Sequence, residues 1–310
     1  MAGRRTRRQL GGEIEELAAA VATPQLARVP GSHHVVVVGP KGGTGKTTTA
    51  AMLAMNFAAT RSEIVSVLDA AHQLGTLRRR LVPSVNPPTR PFQELAALAL
   101  CGVTPEWSTL APYVDVVRGL RVLRSVSSST ESPCLTPKEY QAGVAVLRWA
   151  GQVVISDIGT KANGTLIVAS LECADTLVIV TDAAVDALEM TIEMVSALAG
   201  EPLSYRMDPD DWSGLGDGRF ASLIEGAIVV VSSLRCRSDD SEDGIGSGMA
   251  TAMVDWLRVV CGGAVVVVKG DDHLAEGDLI DLEKLQLESA VSHLGVAAAV
   301  AARFPLTRTI

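Results

Sequence analysis

From Val35 to Thr48 the chain reads Val-Val-Val-Val-Gly-Pro-Lys-Gly-Gly-Thr-Gly-Lys-Thr-Thr, an apolar run flowing into a glycine-rich loop that ends in Lys-Thr-Thr. Residue types in this order suit the capture of phosphate. Four valines fit a buried parallel strand, and the glycines let backbone N–H groups curl around phosphate oxygens. The alanine-rich helix that follows adds its positive N-terminal end. Lys46 would reach the outer phosphates and the Thr47 hydroxyl would bind magnesium. The strict pattern G-x-x-x-x-G-K-[ST] fails at its first position, where Pro40 stands, but an additional lysine, Lys41, precedes the double glycine. The expected phosphate-contacting set is Gly42, Gly43, Thr44, Gly45, Lys46, Thr47 and Thr48.

Such a loop needs carboxylates to hold magnesium and its waters, and these sit where apolar strands end. Val153, Val154 and Ile155 lead through Ser156 into Asp157, the Walker B arrangement, so Asp157 is the expected metal-side carboxylate; capping of the next turn is the alternative. A second apolar segment, Ile64 to Leu68, ends at Asp69. Asp271, after a run of valines, is a candidate nucleotide contact, with helix capping as its other reading.

These residues need a frame, and the periodicity supplies one. Apolar stretches at 114–126 (with a turn at Gly119), 153–155, 176–180, 227–231 and 264–268 read as strands. Between them lie helical patterns at 47–60, 92–100, 137–149, 184–199, 249–260 and 286–303. This alternation predicts an α/β fold: a doubly wound, mostly parallel sheet flanked by helices, with phosphate chemistry at the carboxyl ends of the strands. Residues 1–31 read as a flexible basic tail containing a short helix near 13–21, and 32–310 as one domain. The Asp-, Ser- and Gly-rich stretches 208–218 and 237–248, and the shorter 127–132, read as exposed loops.

Composition narrows the classes. The formal net charge of −8 argues against a general polyanion binder, so DNA affinity would have to be local, from Arg4, Arg5, Arg7, Arg8 and Arg78 to Arg80. Five scattered cysteines without a C-x-x-C pair indicate neither a disulfide framework nor a zinc site, and suit a reducing cytoplasm. No apolar run is long enough to span a membrane, and 286–303 is nearly uncharged, without the basic face of a membrane-surface helix. A cytoplasmic protein without peripheral membrane contact is expected, nucleoid-associated or recruited to a membrane complex by a partner.

The K-G-G-x-G-K-T loop resembles the deviant Walker A loop of the ParA/MinD family of dimerising ATPases. Further segments are similar to MinD-like proteins of actinobacteria, including those associated with type VII secretion: Asp69 to Leu77 (Asp-Ala-Ala-His-Gln-Leu-Gly-Thr-Leu), Leu135 to Tyr140, and Asp271 to Gly277 (Asp-Asp-His-Leu-Ala-Glu-Gly). The resemblance implies a P-loop NTPase fold of the SIMIBI class, ATP and magnesium as cofactors, and a homodimer formed on ATP. Within that dimer Lys41 reaches the partner's nucleotide, with Lys41, Lys46 and Asp69 as the catalytic set. Cargo would be DNA, a protein or a secretion apparatus. In the family a D-x-D pair ends the second strand, whereas here the segment reads Asp69, Ala70, Ala71. Ala71 would stand where the family keeps its water-positioning carboxylate, so slow hydrolysis is expected; a one-residue shift would give that role to Asp69. Ser232 or Ser233 and Lys269 stand where relatives keep an Asn and a Pro beside adenine. Rival classes fit less well: only three tyrosines occur and none is terminal, and the cysteines lack the spacing of a cluster-bridging reductase. A nucleotide-responsive scaffold with negligible hydrolysis remains the alternative.

Overall fold

His33–Val38 is buried along its whole length, as expected of a strand covered on both faces, and forms β1 at the heart of the sheet. The computed structural model describes residues 7–22, 32–70, 75–86, 89–102, 106–124, 135–159, 164–200, 217–232 and 248–304. A helix, α1 (Arg7–Ala22), precedes β1. After it come α2 (Lys46–Thr60), β2 (Val65–Asp69), α3 (Leu77–Leu81), α4 (Phe92–Leu100), α5 (Trp107–Leu110) and the hairpin β3 (Asp115–Val117) and β4 (Leu120–Leu123). The second half runs α6 (Pro137–Ala150), β5 (Val153–Asp157), α7 (Gly164–Glu172), β6 (Thr176–Asp182), α8 (Val185–Ala199), α9 (Ala221–Glu225) and β7 (Ile228–Ser232). It closes with α10 (Gly248–Val260), β8 (Val265–Val268), α11 (Asp272–Ala275) and α12 (Leu287–Ala301).

The eight strands lie in the order β3-β4-β2-β5-β1-β6-β7-β8, all parallel except for β3, which pairs antiparallel with β4 at one edge. The fold is thus the expected mostly parallel α/β sheet with helices on both faces. Alternation along each strand divides the core. Val35 and Val37 pack with α2, α3, α12 and α1, whereas Val36 and Val38 pack with α4, α6, α7, α8 and α10. Helix α6 starts where its sequence dictates. Thr136 and Glu139 form a reciprocal capping box, with Pro137 in the first turn and Tyr140 and Leu135 buried beneath it.

Several elements differ from the expectation, among them the helices α3, α5, α9 and α11, which are too short to show a period. Helix α7, which carries the crossover from β5 to β6, was not legible, because Gly164–Glu172 is apolar nearly all round and has no helical stripe. The segment expected as a tail contains α1, which is longer than the short helix expected and is docked on α12 and α2. Leu10 and Val21 are buried, Ile14, Leu17 and Ala18 line the same stripe, and the Arg61 guanidinium donates to the Val21 carbonyl at 2.6 Å. Outside the described residues lie Ala71, His72, the loop 127–132, Ser233, Cys134, Cys236 and nearly all of 208–218 and 237–248. The side chains of Arg4, Arg5, Arg7 and Arg8 do as well. Among the described residues, no helix is long and apolar enough to cross a membrane.

Candidate functional site

The glycine-rich loop leaves β1 at its carboxyl end and enters α2 at Lys46, with Gly45 in the N-cap position. Its φ of 94° is a left-handed conformation that a side chain would resist, so glycine is needed for the chain to turn from strand to helix here. Lys46 is buried, and its ammonium donates to the Lys41 carbonyl at 2.7 Å, folding the side chain across the hollow of the loop. Burial lowers its pKa, while Asp157 works in the opposite direction. Thr44 anchors the loop to the neighbouring strand, its hydroxyl 3.3 Å from both the Val180 and the Lys41 carbonyls. Gly42 and Gly43 are exposed, and Thr48 is buried in the first turn of α2. Lys41 points elsewhere: its ammonium lies 2.7 Å from Asp186 in the first turn of α8. That hydrogen bond raises the Lys41 pKa and lowers that of Asp186.

The strand registers bring the carboxylates together. Asp69 at the end of β2 is the direct neighbour of Asp157 at the end of β5, and Val37 of β1 is the neighbour of Asp157 on its other side. Paired residues of parallel strands point to the same face, here the face covered by α2 and α3. The Thr47 hydroxyl donates to Asp157 Oδ2 at 2.6 Å, while Asp157 Oδ1 is buried without a partner. Burial raises the Asp157 pKa, opposed by the Thr47 hydrogen bond and the charges of Lys46 and Arg80. An orphaned carboxylate oxygen beside a threonine hydroxyl and a phosphate-type loop is the donor set a hard divalent cation or its water shell would complete. The residues therefore fit magnesium. Among the described residues there is no cluster of three or more His, Cys, Asp or Glu to hold a metal independently of phosphate.

Asp69 also meets the segment that leads into α3. It is buried, and its Oδ2 accepts the Leu77 N–H at 3.2 Å, fixing the start of α3. Gly75 is pressed on the same carboxylate: a Cβ there would lie 2.1 Å from Oδ2 and 2.3 Å from Oδ1. Glycine at 75 is thus a requirement of the Asp69 contact, a signal readable in the sequence only once its neighbour is known.

The arginine triplet corrects an expectation. Arg78 is paired with Asp115, Nε–Oδ2 2.8 Å and Nη2–Oδ1 3.1 Å, and Arg80 donates to the Leu274 carbonyl at 2.8 Å. Both serve the fold, because α3 lies between the hairpin and the segment after β8; only Arg79 is exposed. A three-arginine DNA contact is therefore not what this segment presents. Asp271 makes the contacts of a helix cap. It follows β8, three strands from β1, with Oδ1 accepting from Leu274 N at 3.2 Å and Oδ2 from Gln286 N at 2.8 Å. The capping alternative accounts for both oxygens. Lys269 nearby uses its backbone N–H to bond the Ser292 hydroxyl. Cys101, Cys173 and Cys261 are free thiols. Asp186 and Arg80, which touch or bias the loop residues, carried no local signal, since only the strand order places them there.

Comparison with known proteins agrees with this geometry. No curated protein matches the chain. Among solved structures, a ParA family ATPase from Chlorobium tepidum TLS superposes with a TM-score of 0.58 at 17% identity, covering 87% of this chain and 96% of that one. The septum site-determining protein MinD from Pyrococcus horikoshii OT3, complexed with Mg-ADP, gives 0.55 at 16% identity over 86% and 94%. MinD in a MinC:MinD cell division complex from Aquifex aeolicus gives 0.54 at 18% identity over 86% and 94%. At such identities the likeness is one of fold. The sequence itself matches the CobQ/CobB/MinD/ParA nucleotide binding domain over residues 35–204, more than half of its length and all of the loop and carboxylate ends described above. The chain belongs to the CobQ/CobB/MinD/ParA nucleotide-binding family.

Proposed function

We propose that this protein binds magnesium ATP, dimerises on it and hydrolyses it slowly, using the ATP-bound dimer to position or regulate a cargo. The observation that carries this reading is the Thr47–Asp157 contact with its unpartnered carboxylate oxygen, set directly beneath a loop bearing Lys46. Loop amides and Lys46 would hold the phosphates, and Lys46 would exchange its internal carbonyl for a charged oxygen, a stronger hydrogen bond. Thr47 and Asp157 would hold magnesium, which when bound would neutralise charge on the outer phosphates. Family membership supports the nucleotide, and the Mg-ADP complex of the archaeal MinD supports the metal.

Dimerisation rests on Lys41. With Lys46 serving its own loop, a second lysine here is spare, and its present partner, Asp186, is an exposed carboxylate that releases it readily. Slow turnover rests on the switch segment. Asp69 is engaged with Leu77 and Gly75, so it acts as a positioning residue rather than as the group that orients water, and the chain has alanine at 71. The same observation favours the second reading, a scaffold for which the dimer itself is the product. The MinC:MinD complex supports a protein partner, and the segments at Asp69–Leu77 and Asp271–Gly277 support a place near actinobacterial MinD-like proteins, including those linked to type VII secretion.

Titration of a fluorescent ATP analogue with magnesium tests the site. Lys46→Ala should weaken binding at least about tenfold, the loss of one charge-assisted contact. Undiminished affinity would overturn the assignment.

A further inference from the structure

Beyond the carboxyl ends of β2 and β4, next to the segment that holds Asp69, lies a solvent-open cleft of about 530 Å³. Arg78, Arg79 and Arg124 line it together with Val82, Pro83 and Leu279. Its walls are fixed from behind. Arg78 is held by Asp115, Arg124 Nε donates to the Thr89 carbonyl at 2.6 Å, and the Arg80 carbonyl accepts the Ile280 N–H at 2.8 Å. The charge of Arg78 is answered by Asp115. Arg79 and Arg124, by contrast, have no carboxylate at ion-pair distance among the described residues, although Asp278 lines the same cleft with one oxygen engaged by the Leu279 N–H. Gly75 lines the same cleft while its α-carbon rests on the Asp69 carboxylate.

Two uncompensated guanidiniums bordering one cavity form a fork for oxyanions, and the volume is that of a small-molecule site. Aliphatic surface also lines it, from half-buried Pro83 and exposed Val85, and a bare inorganic anion would leave that surface uncovered. We propose that this cleft binds a small organic dicarboxylate, one carboxylate on Arg79 and the other on Arg124, with a short methylene chain against Pro83 and Val85. The site is separate from the nucleotide loop, so it stands or falls independently of the ATPase reading.

Isothermal titration of the nucleotide-free full chain with glutarate, at constant ionic strength and with inorganic phosphate as the comparison anion, tests this. Glutarate should bind more tightly than phosphate. Arg79→Gln, at an exposed position, and Arg124→Gln should each weaken it at least about tenfold, while Lys46→Ala leaves it unchanged. Absence of glutarate binding at tens of millimolar would overturn the proposal. So would equal binding of phosphate, or a loss in Lys46→Ala without a loss in Arg79→Gln.

Discussion

Lowering the pH from 8 to 5 should destabilise this protein steeply, because three histidines are buried as neutral rings at positions far from the nucleotide loop's chemistry. His34 Nδ1 lies 2.9 Å from the Cys173 carbonyl and so carries the proton, leaving Nε2, 2.9 Å from the Ser156 hydroxyl, as an acceptor. His33 Nε2 is 2.8 Å from Thr176 Oγ1, and its ring packs at 4.2 Å on Phe304. Burial pulls His33, His34 and His293 down from 6.5 to about 4; at His33 Asp175 opposes this and Arg148 reinforces it, and at His293 Asp271 opposes it. Between those values the unfolded chain binds protons that the folded chain refuses, so stability is complete above pH 6.5 and falls as the pH drops toward 4. At about 1.4 kcal/mol per tenfold change in proton affinity, each histidine removes about 2 kcal/mol by pH 5. Three of them remove about 6 kcal/mol, comparable with the whole stability of a typical domain, about 5–15 kcal/mol. Asp157 acts the other way, since a raised folded pKa makes it gain stability on acidification, but it is one group against three. Urea unfolding followed by far-UV circular dichroism at pH 8, 6.5, 5.5 and 5 measures the slope, and His34→Gln should reduce it by about a third. A midpoint unchanged between pH 8 and 5 would refute the reasoning.

Gly75→Ala should cost about 2 kcal/mol or more, since its methyl group would overlap the Asp69 carboxylate, and Asp69→Ala in the same chain should recover part of that loss; strictly additive costs would deny the contact. Light scattering with ATP should show a dimer that Lys41→Ala cannot form, whereas Asp186→Ala, which frees the lysine, should dimerise at lower nucleotide concentration; a Lys41→Ala dimer of normal affinity would remove the cross-interface role. Ala71→Asp should raise steady-state phosphate release several-fold, on the order of 1 kcal/mol of barrier, because a carboxylate there can accept a hydrogen bond from the attacking water; an inert variant would favour the scaffold reading.

The ligand class was legible because its determinants are local. A loop of glycines between a valine strand and an alanine-rich helix has its backbone geometry written in a dozen consecutive residues, and Lys46 and Thr47 occupy that loop wherever the rest of the chain goes. The strands and most helices were legible for the same reason, since periodicity is a property of neighbours. α7 escaped because an element that is apolar all round carries no period.

What the tertiary structure decided is the fate of charge. Asp69 and Asp157 are 88 residues apart in the chain and adjacent in the sheet only because β2 pairs with β5. That pairing, together with Gly75, turns Asp69 toward α3. Arg78 and Arg80 looked like exposed cations and became struts, Asp271 became a cap, and Lys41 found Asp186 across the loop from β6. A side chain's type sets which partners it can accept, but its actual partner follows from strand order and crossover, and these are properties of the whole chain.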